Sequence, residues 1–166
     1  MNYIIEEMQP DDWKAVGQIY WEGILTKNAT FQNEVPTWKE WDENHLETCR
    51  YVAKYQGSII GWVALSPISK RPVFKGVAED SIYIKDGYKG QGVATNLMKC
   101  LIEQSEAEGI WTLEAKIFPE NKESIALHEK FGFKSVGIRD KIGQMVSGEW
   151  RDIVVMERRS TIVGQG

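Results

Sequence analysis

A chain of 166 residues is long enough for one domain with a sizeable core. Its 42% hydrophobic and 27% charged content is that of a globular protein, and a net charge of −4 without a long like-charge run excludes a basic nucleic-acid footprint. No apolar stretch approaches membrane-spanning length, MNYIIEEMQ is not a signal peptide, and Cys49 and Cys100 form no metal-binding pattern, so they read as free thiols of a reducing cytoplasm.

In chain order, YIIEEM (3–8) predicts a first strand. Pro10 suits the first turn of a helix and Asp11 and Asp12 suit its positive end; Trp13, Val16, Ile19, Tyr20 and Ile24 then form a helical stripe. Residues 26–36 read as a loop with one Phe. Thr37 and Glu40 form a capping box that opens a second helix, to about residue 48. RYVAKY (50–55) and SIIGWVAL (58–65) form a hairpin, and 74–84 is a longer strand after the connection 67–72. An amphipathic helix over 90–109, a strand over 110–118 and a short helix capped by Asn121 follow. Segments 132–142 and 149–157 close the sheet as a hairpin, and 160–166 reads as a loose tail. The order predicts a single α/β domain over 1–159, with a mixed sheet of about seven strands and helices on both faces.

GQGVAT (90–95) opens a helix, and exposed amides at a helix start attract phosphate, which glycines let approach closely. A Walker loop would need Gly-Lys-Ser/Thr, which is absent. A dinucleotide fingerprint would need a small third residue where Thr95 stands, and a tighter turn than residues 85–89 allow. A pyrophosphate loop of the acetyl-coenzyme A kind remains, beside the plain reading of a glycine-rich helix start without a ligand.

Two further patterns narrow the choice. Asn121, Ser124 and His128 fall within roughly 60° of one helix face, a polar stripe able to bind an amide-bearing ligand or simply to cap the helix and face water. Period two places Glu79, Ser81 and Tyr83 on one face of a core strand and Asp80, Ile82 and Ile84 on the other. Adjacent acids there are costly unless used or paired, and a partly desolvated Glu79 has the raised pKa of a base working near neutral pH.

EDSIYI, KGQGVA and N-x-x-S-x-x-LHE-x-x-GF in this order resemble the GNAT superfamily of N-acetyltransferases. NATFQNEVPTWKEW, the hairpin RYVAKYQGSIIGWVAL and GEWRDIVVMERR resemble its phosphinothricin (methionine sulfone/sulfoximine) branch, so the likeness spans about residues 2–159. The resemblance implies a fold in which strands 74–84 and 110–118 splay apart around pantetheine. It implies that the acetyl-CoA arm bonds to the backbone of Ile82, Tyr83 and Ile84. The pyrophosphate would rest on Gly90, Gln91, Gly92, Val93, Ala94 and Thr95, with Lys89 in the first position of the loop pattern. Asn121 and Ser124 would hold the pantetheine end. Glu79 would be the base and His128 either the acid or a contact near the cofactor sulfur. For a small amine-bearing, amino-acid-like acceptor, Arg71 is the expected carboxylate partner, with Phe31 and Trp150 shaping the pocket; the segment 139–150 would border it. A homodimer is implied as well. Other acceptors with the same fold, a polyamine, an aminoglycoside or a protein N-terminus, stay open, as does a sensor that binds acyl-CoA without turnover.

Overall fold

The computed structural model describes residues 1–166. Its elements follow the predicted order: β1 (Tyr3–Glu7), α1 (Trp13–Leu25), α2 (Trp38–Glu43), β2 (Tyr51–Tyr55), β3 (Ser58–Pro67), β4 (Val77–Ile84), α3 (Val93–Ala107), β5 (Thr112–Ile117), α4 (Lys122–Lys130), β6 (Lys134–Gln144) and β7 (Trp150–Arg159). The seven strands form one sheet in the order β1-β2-β3-β4-β5-β7-β6. Only β4 and β5 run parallel; every other neighbouring pair is antiparallel.

Each face of the sheet is covered by its own apolar layer. The stripe of α3 (Leu97, Met98, Leu101, Ile102) packs on Val63, Leu65, Ala78, Leu113 and Ala115. On the other face Val16 and Ile19 of α1 and Trp41 of α2 meet Val52, Trp62 and Ala64. Fully burying one such side chain is worth about 1.5–3 kcal/mol, so the two layers fix both helix pairs against the sheet.

One boundary differs from expectation. Thr37 does cap α2, accepting from the Glu40 amide, but the helix stops at Glu43 rather than near 48. Arg50 folds back there and donates to the carbonyls of Leu46, Asp42 and His45, taking up the chain that a longer helix would have used. The segment after β7 is tied at its start. Ser160 is buried, and the Arg159 guanidinium donates to the carbonyls of Val163 and Gly164, satisfying polar groups that a free end would leave to water.

The feature that positions the site is a break in pairing. β4 and β5 pair at Val77↔Thr112, Ala78↔Leu113 and Glu79↔Glu114, and then part, while β4 continues to Ile84 along β3 and β5 continues to Ile117 along β7. The β4 edge from Asp80 onward therefore has no strand partner on that side, which leaves ladder groups free for another chain-like ligand.

Candidate active site

Two cavities open into this wedge. The larger, about 980 Å3, is floored by Ile82, Tyr83 and Ile84, closed at one end by the glycine loop and flanked by the start of α4. Gly90 and Gly92 hold φ values of 74° and 84°, which side-chain-bearing residues rarely adopt, and a Cβ at either would meet no atom within 4 Å. Gly92 is the N-cap of α3, and no side chain caps that end, so the first-turn amides of Val93, Ala94 and Thr95 face the cavity without a side-chain partner. Bare amides, a dipole end and open space fit a pyrophosphate. Tyr3 steadies the turn by donating to the Gly92 carbonyl at 3.3 Å. The Gln91 side chain turns back to the Gly87 carbonyl, and exposed Lys89 pairs with Asp86 at 3.4 Å. Lys130, not singled out from the sequence, reaches the same loop, with Nζ 3.5 Å from the Thr95 hydroxyl.

The smaller cavity, about 580 Å3, holds Glu79 and Ser81 from β4, Lys116 from β5, Tyr20 from α1, Phe31 from the loop after α1 and Arg139 from β6. The two cavities share Ala29, Ile82, Tyr83, Asn121 and Ser124 as walls, so they meet at the unpaired part of β4. A donor molecule in one and an acceptor in the other would come together at Ile82 and Tyr83, on the same strand as Glu79. Burial raises the Glu79 pKa, and the Lys116 ammonium, 3.2 Å from its carboxylate, partly offsets that rise.

His128 and Asp80 form a buried pair behind this junction. Nε2 lies 3.0 Å from each Asp80 oxygen, and Nδ1 lies 2.7 Å from the Ser124 carbonyl. A carbonyl and a carboxylate only accept, so this geometry suits a ring with both nitrogens protonated. Burial opposes that charge, but the Asp80 carboxylate and the Ser124 carbonyl outweigh it and raise the His128 pKa above its ordinary value. Neither N–H is free to protonate a leaving group. Both ring nitrogens of His128, expected as acid or as a contact near the cofactor sulfur, thus face fixed protein acceptors.

Asn121 caps α4 by accepting from the Ser124 amide and donates to the Asn28 carbonyl, tying the helix to the loop after α1. That loop is pinned from below by Arg151, a buried cation that sequence reading passed over. Its guanidinium donates to the Lys27 carbonyl at 2.8 Å, the Asn28 side chain at 2.9 Å and the Glu120 carboxylate at 3.0 Å, and lies 3.9 Å from the Phe118 ring centre. Segment 28–32, which roofs both cavities, is thus held by a residue more than a hundred positions away. The signal available in the sequence was an arginine inside an apolar strand, where an unpaired charge is not tolerated.

Phe31 stands where expected, edge-on to Phe118 at 4.9 Å and against Gly143. Arg71 and Trp150 do not. Arg71 is exposed in the turn before β4 with its guanidinium 5.5 Å from the Phe74 ring centre, and Trp150 is exposed at the far end of the β6–β7 hairpin opposite Gln144; neither lines the chamber. The chamber's cations are Lys116 and Arg139 instead. Arg139 enters because β6 bulges between it and Gly143, so the segment expected as a bordering loop is largely strand.

The profile of the acetyltransferase (GNAT) family matches residues 13–133. The chain is 33% identical to YwnH of Bacillus subtilis (strain 168) over 152 residues, covering 89% of this chain and 93% of that one. It is 32% identical over 101 residues to the L-methionine sulfoximine/L-methionine sulfone acetyltransferase of Pseudomonas aeruginosa, covering 61% of this chain and 58% of that one. The phosphinothricin acetyltransferase of Sinorhizobium meliloti, solved in complex with acetyl-CoA, superposes with a TM-score of 0.87 at 26% identity, covering 99% of this chain and 91% of the other. The chain belongs to the GNAT family and is an acetyl-CoA-dependent N-acetyltransferase. Acetyl-CoA is its acetyl donor, and no helix is long and apolar enough to cross a membrane.

Proposed function

We propose that the acceptor is the primary amine of a small amino-acid-like molecule of the phosphinothricin, methionine sulfone or methionine sulfoximine type. The observation that carries this reading is the placement of Glu79 in the smaller cavity, on the strand whose unpaired part both cavities share, with the Lys116 ammonium 3.2 Å away and Arg139 in the same chamber. The names of the relatives support the same acceptor class.

A bound thioester supplies an electrophilic carbonyl carbon and a good leaving group. Glu79, with its raised pKa, accepts the proton that the attacking amine must lose, directly or through water. The nitrogen–carbon bond then forms as the carbon–sulfur bond breaks, and the electron pair leaves on sulfur. Free amides on the open edge of β4, near Tyr83 and Ile84, donate to the oxyanion. The amides from Gly90 to Thr95 carry the pyrophosphate, and Asn121 and Ser124 border the pantetheine arm. His128 works as a fixed charge rather than as the acid.

The reading extends to a homodimer and to the cytoplasm, where acetyl-CoA and reduced Cys49 and Cys100 fit together. β6 is the outer strand of the sheet, and Val136, Ile138 and Ile142 on it are exposed, an apolar edge that a second copy would cover. Sedimentation at micromolar concentration should give twice the chain mass. Thiol release from acetyl-CoA with methionine sulfone, phosphinothricin and spermidine tests the acceptor: turnover with either amino-acid analogue supports the reading, and turnover with spermidine alone overturns it.

A further inference from the structure

Lys116 has no role in the account so far beyond holding Glu79 down. It lies two residues past Glu114, the last β5 residue paired with β4, so it stands in the open wedge. Its ammonium is 3.2 Å from one Glu79 oxygen, and the two side chains are 40% and 29% exposed, so the pair is reachable by a small molecule. Of the other charges near it, Asp80 is matched by His128; Arg139 enters the chamber from β6 and Glu114 lies on β5 beside Glu79, both without an ion-pair partner, and Tyr20 and Tyr83 present hydroxyls whose pKa burial raises.

We propose that Lys116 is the anchor for the acceptor's carboxylate, taking it as a second counter-charge beside Glu79 when an amino acid binds and holding it alone once Glu79 is protonated; this rests on the reading of Glu79 as the base. An α-amino acid carries its ammonium and its carboxylate on one carbon. It therefore complements a carboxylate and an ammonium that already touch: four charges of alternating sign close into a ring. The second counter-charge keeps Lys116 paired throughout, so its partial desolvation is never left uncompensated. It also bears on the chemistry. When Glu79 takes the amine proton it becomes neutral, and a Lys116 still relying on it would lose its counter-charge at that moment. The acceptor carboxylate removes that penalty. A polyamine brings a second cation to Lys116, and a peptide N-terminus brings only a neutral carbonyl, so the same residue discriminates against both.

The test compares methionine sulfone with its α-carboxamide, which keeps the amine and the side chain but lacks the carboxylate. Calorimetric titration at about pH 6.5, with the enzyme saturated with coenzyme A, should show the wild type binding the acid about 30-fold more tightly than the amide, the scale of one charged hydrogen bond. Lys116→Met should bring the ratio close to one by weakening the acid, and Lys116→Arg should restore part of it. Equal binding of acid and amide by the wild type, an undiminished preference in Lys116→Met, or equal weakening of both ligands overturns the anchor. Thiol release by Glu79→Gln separates this result from the reading it rests on: full turnover in that variant removes the base, while the binding ratio still decides Lys116.

Discussion

The cleft proposed for the donor and the chamber proposed for the acceptor share a strand but are made of different material. The cleft is built from main chain: an unpaired strand edge, two glycines with positive φ and the bare first turn of a helix. The chamber is built from side chains contributed by α1, the loop after it, β4, β5 and β6. A main-chain site can be disturbed only by changing the path of the backbone, so it tolerates many residues and binds the same group. A side-chain site changes its preference with each substitution. One scaffold can thus keep a fixed donor and vary its acceptor.

The sharpest way to separate the two halves is to remove the base and leave both cavities intact. Glu79→Gln preserves shape and the strand but cannot take a proton. Turnover should fall by about 10²–10⁴-fold, the usual worth of a positioned general base. Donor affinity, read by titration with coenzyme A, should stay within about twofold, since Glu79 does not line the cavity assigned to the donor. A parallel loss of donor affinity would mean that the two halves are not separable.

Behind their junction lies the Asp80–His128 pair, and it offers the next largest effect. Breaking a buried pair by removing one partner costs about 3–5 kcal/mol. Asp80→Asn should therefore unfold at markedly lower urea near pH 6. The pH dependence has a definite sign. His128 holds its proton more tightly in the folded chain, so its contribution is fully present below the ordinary imidazole value of about 6.5 and is lost as pH rises through the folded value. The gap between wild type and Asp80→Asn should narrow from pH 6 to 9. A gap that is constant or widens would show that the ring is neutral.

On the donor side, Gly92→Val changes both backbone freedom and space. A β-branched residue resists a φ of 84°, and its side chain would enter the open region beside the loop. Coenzyme A affinity should fall by about tenfold or more while the acceptor preference between methionine sulfone and phosphinothricin stays the same. If that preference shifts, the loop reaches into acceptor binding.

The same division explains what the sequence disclosed. Element order and the donor loop were legible because each depends on neighbours in the chain: GQG before a helical stripe, or Thr37 three residues before Glu40. Glu79 was legible as an acid that a core strand has no structural use for. Phe31 apart, the acceptor walls were not, because they depend on distant approach. Arg71 is near Glu79 in sequence but its turn carries it outward, while Lys116 and Arg139 arrive from strands whose path only the sheet order and the β6 bulge determine. His128 was legible as a polar residue on the right face, yet its role turns on Asp80, a partner 48 positions earlier that closes its free edge.

The smallest expected effect probes the chamber through a residue with no side chain. A Cβ added at Gly143 would lie 2.6 Å from the Phe31 ring, too close for both to keep their places. Phe31 cannot move freely toward Phe118, which it already meets edge-on at 4.9 Å. In Gly143→Ala the ring must swing toward the acceptor space, at an overpacking cost of about 1–3 kcal/mol. The KM for methionine sulfone should rise by about tenfold, with coenzyme A affinity unchanged. Phosphinothricin, with a different group at the end of its side chain, should respond to a different degree if Phe31 and Gly143, which border the chamber from the β6 side, meet that end rather than the amine. An equal rise for both acceptors would place Phe31 against the part they share, the amine and carboxylate, and would move the source of acceptor discrimination to Arg139.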